Sequence, residues 1–81
     1  MEIWYVYIIQ SQEGLIYTGI SKNPDKRLKQ HNAGQSKWTK RGRHWKIIYQ
    51  ESFPSRQQAR NRERYFKNTA GKEWSRHRGI I

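Results

Sequence analysis

The sequence predicts a small α/β chain of the α+β type, with elements in the order β-β-α-β-α and a short closing helix. Two runs rich in β-branched and aromatic residues flank a polar turn, and a third such run follows past mid-chain. Capped segments with helical character follow the second and third runs. The 81 residues make one domain, 1–81, and a chain this short buries only roughly 60% of its unfolded surface. Its core must be dense, and four Trp, five Tyr and two Phe supply the bulk.

Residues 3 to 9, "IWYVYII", read as a strand covered on both faces. "LIYTGI" (15 to 20) is a second strand, and "SQEG" between them marks a hairpin. If Gly14 takes the left-handed position of a three-residue loop, Ser11 pairs with Leu15. Tyr7 then lies opposite Gly19 and diagonal to Tyr17, all on one face. A four-residue loop would instead put the two tyrosines on opposite faces.

Asn23 is a good N-cap, Pro24 suits the first helical position and Asp25 complements the dipole, so a helix starts here. Gly34 should end it. "QSKWTKRGRH" (35 to 44) reads as a basic loop and "WKIIYQESF" (45 to 53) as the third strand. Ser55 and Gln58 fit a capping box that opens a second helix to about Asn68. Gly71 should break it, and "KEWSRH" then forms a final short turn of helix.

Charge narrows the function. Seventeen Lys and Arg against six acidic residues give +11, a balance that points to a polyanionic partner. Nucleic acid leads, because aromatics interleave with the basic residues and no basic amphipathic helix offers an apolar face to a membrane. The absence of cysteine excludes disulfides and thiolate metal sites and suits a reducing cytoplasm. No apolar run is long enough to span a membrane, and Met1 is not followed by a signal-peptide pattern.

Two helices raise a question of chemistry. The inward stripe of the second reads Ala59, Glu63, Phe66 and Ala70, with Arg60, Arg62 and Arg64 around the carboxylate. Burying a lone carboxylate costs several kcal/mol unless cations or donors meet it. Glu63 is therefore a structural ion-pair partner, of one of those arginines or of Arg27, or else a metal ligand or catalytic acid. On the first helix Arg27 and His31 are four apart and share a face with Leu28. Taken singly, His31 is an ordinary C-terminal helix residue, Arg27 a solvated one, and Tyr7 and Tyr17 core aromatics.

Taken together, "YVY" (5 to 7), "YTG" (17 to 19) ten residues on, "KRLKQH" and a later helical Glu resemble the GIY-YIG nuclease family. The likeness to its small stand-alone bacterial members runs from Trp4 to about Arg78 through "YVYII", "YTGIS", "KRLKQHN", "KWTKRG" and "RERYFKNTAGKEW". Tyr5 and Val6 replace the Gly and Ile of the first motif, and Thr18 the Ile of the second, whereas both functional tyrosines and Gly19 are retained. The resemblance implies a three-stranded, mainly antiparallel sheet flanked by helices. It also carries Tyr7, Tyr17, Arg27, His31 and Glu63 onto the family's active-site positions.

The implied activity is metal-dependent hydrolysis of phosphodiester bonds in DNA, branched or single-stranded forms included, by a monomer in the cytoplasm beside the nucleoid. Glu63 alone among six acids lies on an inward face near the implied site, which favours one divalent ion, Mg²⁺ or Mn²⁺, over a two-metal cluster. Arg27 would bind the phosphate. Tyr7 is the expected general base, with His31 as its proton relay and Tyr17 positioning the water. Arg27 and the metal should favour the Tyr7 phenolate, so that activity rises on the alkaline side. Lys37, Lys40, Arg41, Arg43 and Lys46 should track the phosphate backbone. The alternatives are a non-catalytic nucleic-acid-binding module on the same scaffold and a basic structural partner of RNA.

Overall fold

The computed structural model describes residues 2–81. Strands β1 (Trp4–Gln10), β2 (Ile16–Ser21) and β3 (Lys46–Phe53) form one antiparallel sheet in the order β2-β1-β3. Helix α1 (Pro24–Asn32) follows the hairpin, and α2 (Arg56–Lys67) and α3 (Thr69–His77) close the chain. The expected α+β architecture is the observed one.

The three-residue turn forms as expected. Gly14 has φ +92°, the Ser11 amide donates to the Leu15 carbonyl at 2.9 Å, and Tyr7 pairs with Gly19. β1 is the central strand and is covered on both sides. Val6 and Ile8 pack with Phe66 beneath α2 and α3. Tyr7 and Ile9 pack with Trp45, Leu15, Tyr17 and Leu28 on the side of α1. Ile8 pairs with Tyr49 but Ile9 with Ile47, so Ile48 is an extra residue in β3.

Asn23 caps α1 through Oδ1, which accepts from the Lys26 amide at 3.2 Å. Gly34, at φ +77°, donates to the His31 carbonyl and turns the chain away. The basic loop contains a 3-10 turn, Thr39–Arg41. It is pinned by Trp45, whose Nε1 donates to the Thr39 carbonyl at 3.0 Å. Asn32 in turn clamps the Trp45 backbone from both sides, accepting from its amide at 2.7 Å and donating to its carbonyl at 3.0 Å.

The C-terminal part corrects four expectations. The Ser55–Gln58 box is half formed: Ser55 Oγ accepts from the Gln58 amide, but the Gln58 side chain bonds the Ser55 hydroxyl rather than its amide. The second helix ends at Lys67 and the break is at Asn68, not Gly71. Asn68 Oδ1 caps α3 by accepting from the Gly71 amide at 2.9 Å. Gly71 is a packing residue, since a Cβ there would collide with the Tyr65 carbonyl. Ala70 consequently leaves the inward stripe and is exposed in the first turn of α3. The closing helix is nine residues long, more than the short turn expected. Among the described residues, no helix is long and apolar enough to cross a membrane.

Candidate active site

Tyr7 sits mid-strand in β1, 1% exposed. Its neighbour Gly19 makes the space for it: a Cβ there would lie 2.7 Å from the Tyr7 hydroxyl and 2.9 Å from the Tyr17 ring. Tyr17, two residues earlier on β2, shares the face, with ring centroids 6.4 Å apart. The last turn of α1 brings His31 onto the same face, 4.9 Å from Tyr17 and 6.0 Å from Tyr7 between ring centroids.

His31 is 1% exposed and both ring nitrogens are engaged. Nε2 lies 2.9 Å from the Tyr7 hydroxyl and Nδ1 2.8 Å from Thr39 Oγ1. Thr39 Oγ1 donates to the Ser36 carbonyl at 3.4 Å, which leaves its lone pairs for an Nδ1–H donor. The network therefore assigns the proton to Nδ1 and leaves Nε2 as acceptor for Tyr7. Burial, helped by the Arg27 charge, pulls the His31 pKa down to about 4, so the ring is neutral at pH 7.

The expected phenolate is corrected by the same burial. Desolvation pushes the Tyr7 hydroxyl well above the usual phenol range, and Tyr17 and Glu63 add to the rise. Arg27 does favour the phenolate, but burial outweighs it. Tyr7 is thus a neutral phenol that can shed its proton only toward His31. The Arg27 guanidinium donates to Gln30 Oε1 at 2.7 Å, and its charge acts on both Tyr7 and His31.

Glu63 projects from α2 on the face that carries Ala59 and Phe66, its side chain 14% exposed. Its charge acts on Tyr7, and its neighbour Lys67 places Nζ 5.8 Å from the Tyr17 ring centroid. This part of α2 thus lies close enough to the tyrosines to act on them. Glu63 pairs with Arg60 at 3.8 Å and Lys67 at 3.3 Å, rather than with Arg27, Arg62 or Arg64. Arg62 is committed elsewhere: it binds Glu51 at 2.8 Å and covers the rings of Tyr65, Phe66 and Trp74.

The five basic residues of the loop and β3 are all exposed. Lys37 and Lys40 flank Trp38 and Thr39, and Arg41 ends the 3-10 turn. Arg43 and Lys46 are drawn to the far end of β1, where Arg43 bonds Gln12 and Glu13 through its backbone and Lys46 pairs with Gln10. Three residues at the site were not singled out from sequence: Thr39, Trp38 and Lys67. An isolated Trp in a basic loop is a readable nucleic-acid signal. Thr39 has none, because its role depends wholly on where His31 lands.

The GIY-YIG catalytic domain family model matches residues 3–77. The chain belongs to the GIY-YIG family. The GIY-YIG domain is similar to a UPF0213 protein of Staphylococcus saprophyticus, 41% identical over 64 residues and 78% of each chain. It is 42% identical to one of Staphylococcus haemolyticus over 60 residues, 73% of each chain. The solution NMR structure of a UPF0213 protein from Bacillus halodurans matches with a TM-score of 0.57 and 30% identity, over 96% of this chain and 84% of that one.

A divalent ion in a GIY-YIG domain needs oxygen ligands, and Glu63 is the carboxylate near the tyrosines that fits. Its ion pairs are loose beside the 2.8 Å Arg62–Glu51 contact, so it keeps lone pairs for a hard cation. No group of three or more His, Asp or Glu side chains among the described residues could hold a metal alone. An ion here would keep most of its shell as water and phosphate oxygen, a mode that suits Mg²⁺.

Proposed function

We propose that this GIY-YIG domain is an endonuclease that hydrolyses phosphodiester bonds in DNA, acting in the cytoplasm with one Mg²⁺ or Mn²⁺ at Glu63. The observation that carries the reading is the buried hydrogen-bonded chain from Tyr7 through His31 to Thr39, with an arginine charge beside it. A buried tyrosine hydroxyl needs a partner in any case, and what favours catalysis is the convergence of Arg27, Glu63 and Tyr17 on that same hydroxyl.

Arg27 neutralises the phosphate oxygens, and Tyr17 positions the attacking water. As the water oxygen bonds to phosphorus, its proton passes to the Tyr7 hydroxyl while the Tyr7 proton passes to His31 Nε2. The P–O bond to the leaving oxygen then breaks, and that oxygen takes up a proton from solvent. His31 becomes the imidazolium, with Nδ1–H still donating to Thr39. When bound at Glu63, the divalent ion supplies charge neutralisation at the leaving oxygen.

The Arg60 and Lys67 contacts to Glu63 favour a second reading, in which these cations stand where a metal would and the module binds DNA without cutting it. Incubation of supercoiled plasmid, a branched junction and a single strand with Mg²⁺ or Mn²⁺ separates the two. Cleavage of any of them supports the nuclease. Binding to all with cleavage of none supports the binding module.

A further inference from the structure

Beside the tyrosine face lies a cavity that this hydrolytic chemistry does not use. About 540 Å³ in volume, it is lined by residues from both faces of the sheet around the free edge of β2, with Tyr17 among them. Ile16 and the buried Phe66 give it an apolar floor. Trp38 forms a wall, its ring 5.7 Å from Tyr17 at an interplanar angle of 38°. That indole is 42% exposed. Lys67, Lys72 and Arg76 also line it, and no acidic side chain among the described residues does. Lys72 and Arg76 are four apart on α3 and so share one face of that helix.

An apolar slot with an exposed indole wall and three cations fits a ligand with a flat apolar body and anionic flanks. A nucleotide in a DNA strand has both parts, and bases stack on aromatic side chains largely without regard to sequence. An apolar peptide would satisfy the floor but leave three ammonium and guanidinium groups without counter-charge.

We infer that the cavity holds an unpaired nucleobase of the strand being cut, stacked on Trp38, with its neighbouring phosphates on Lys67, Lys72 and Arg76. The inference rests on the nuclease reading and narrows its substrate to DNA with an unpaired nucleotide next to the scissile phosphate. Tyr17 is the shared wall, facing the reacting phosphate on one side and the base on the other. A base inside continuous duplex is stacked and paired, and entering the slot would cost its unstacking and unpairing. Single strands, flaps and junctions expose bases already free of that cost.

The test measures binding by fluorescence anisotropy in EDTA, where no cleavage occurs. The probes are a labelled oligothymidylate, an abasic strand of the same length and a blunt duplex, each with wild type, Trp38→Ala and Trp38→Phe. Wild type should bind the thymidylate about tenfold or more tighter than the abasic strand, the scale of one stacked base. Trp38→Ala should erase that difference while keeping its affinity for abasic strand and duplex, and Trp38→Phe should retain most of it. Equal binding of thymidylate and abasic strand by wild type overturns the inference. So does an equal loss on all three probes in a folded Trp38→Ala. Should Trp38→Ala melt early, the wild-type comparison of the two single strands still decides. Cleavage with Mg²⁺, run separately, judges the nuclease reading by itself: an inactive protein can show the base preference, and an active one can lack it.

Discussion

The Tyr7 hydroxyl and His31 Nε2 lie 2.9 Å apart across 24 residues of chain, in two side chains that are each buried. Burial holds both groups neutral, raising the cost of a free phenolate and of an imidazolium alike. The phenol can therefore take a proton from water only as it gives its own to His31. Thr39, 0% exposed, holds the far nitrogen. We expect Thr39→Val to lower kcat by ~10- to 100-fold, the scale known for metal-bound histidines that lose the partner orienting them. KM and DNA affinity should stay near wild type, and Thr39→Ser should restore the rate. Single-turnover cleavage by the three proteins checks this, and a Thr39→Ser as slow as Thr39→Val would refute it.

Tyr7→Phe removes one oxygen from a packed ring and should leave the fold and DNA affinity largely intact. The rate should fall by ~10²-fold or more, the usual scale of a lost acid–base group. Tyr17→Phe should be damaging but less complete. If Tyr17→Phe is dead and Tyr7→Phe cleaves normally, the two roles must be exchanged.

The pH profile follows from His31. The neutral ring is the required acceptor, so cleavage should fall as pH drops through about 4 and be level at neutral pH. No rise near pH 10 is expected from Tyr7, whose hydroxyl burial pushes upward. Stability has the same sign. The unfolded histidine, with a pKa of about 6.5, binds a proton more readily than the folded one. Stability is thus fully present above pH 6.5 and is lost as pH falls toward about 4. Melting curves across that window should show the loss in wild type and less of it in His31→Gln.

Glu63→Gln separates the structural from the metal-binding role. Both allow a stable protein, since a partly buried charge is removed. Only the second predicts weaker Mn²⁺ binding, measured by titration in the presence of a non-cleavable DNA. A rate loss of ~10³-fold should accompany it, at 1.36 kcal/mol per decade. Equal metal affinity and equal cleavage in the two proteins would leave Glu63 as the partner of Arg60 and Lys67.

Lys37, Lys40, Arg41, Arg43 and Lys46 should bind as an electrostatic strip. Five neutralised phosphates imply a log–log salt slope near about −4.5 and a loss of a few hundredfold in affinity from ~50 to ~200 mM salt. Because Arg43 and Lys46 sit at the far end of β1, reversing their charge should cost less cleavage than reversing Lys37 and Lys40. A salt-insensitive complex would refute the electrostatic account.

Local sequence determined the three strands and the start of each of the first two helices, and narrowed the hairpin register to two choices between which the structure takes the three-residue turn. These rest on short-range rules: alternation along a strand, a glycine able to take φ +92° in a three-residue turn, and an Asn or Ser side chain capping nearby amides. The register alone put Tyr7 opposite Gly19 and Tyr17 on the same face. Glu63 was legible as a carboxylate out of place on an apolar helix face. What tertiary structure decided is where burial and contact reach across the chain. Asn68 rather than Gly71 breaks the last helices, because Gly71 is needed where α3 crosses the Tyr65 carbonyl. Thr39 gains its part from a loop pinned by Trp45, and Trp38 from standing against Tyr17. The Tyr7 phenol is held neutral rather than ionised because desolvation by the whole fold exceeds the pull of one arginine, a balance that no local run of residues encodes.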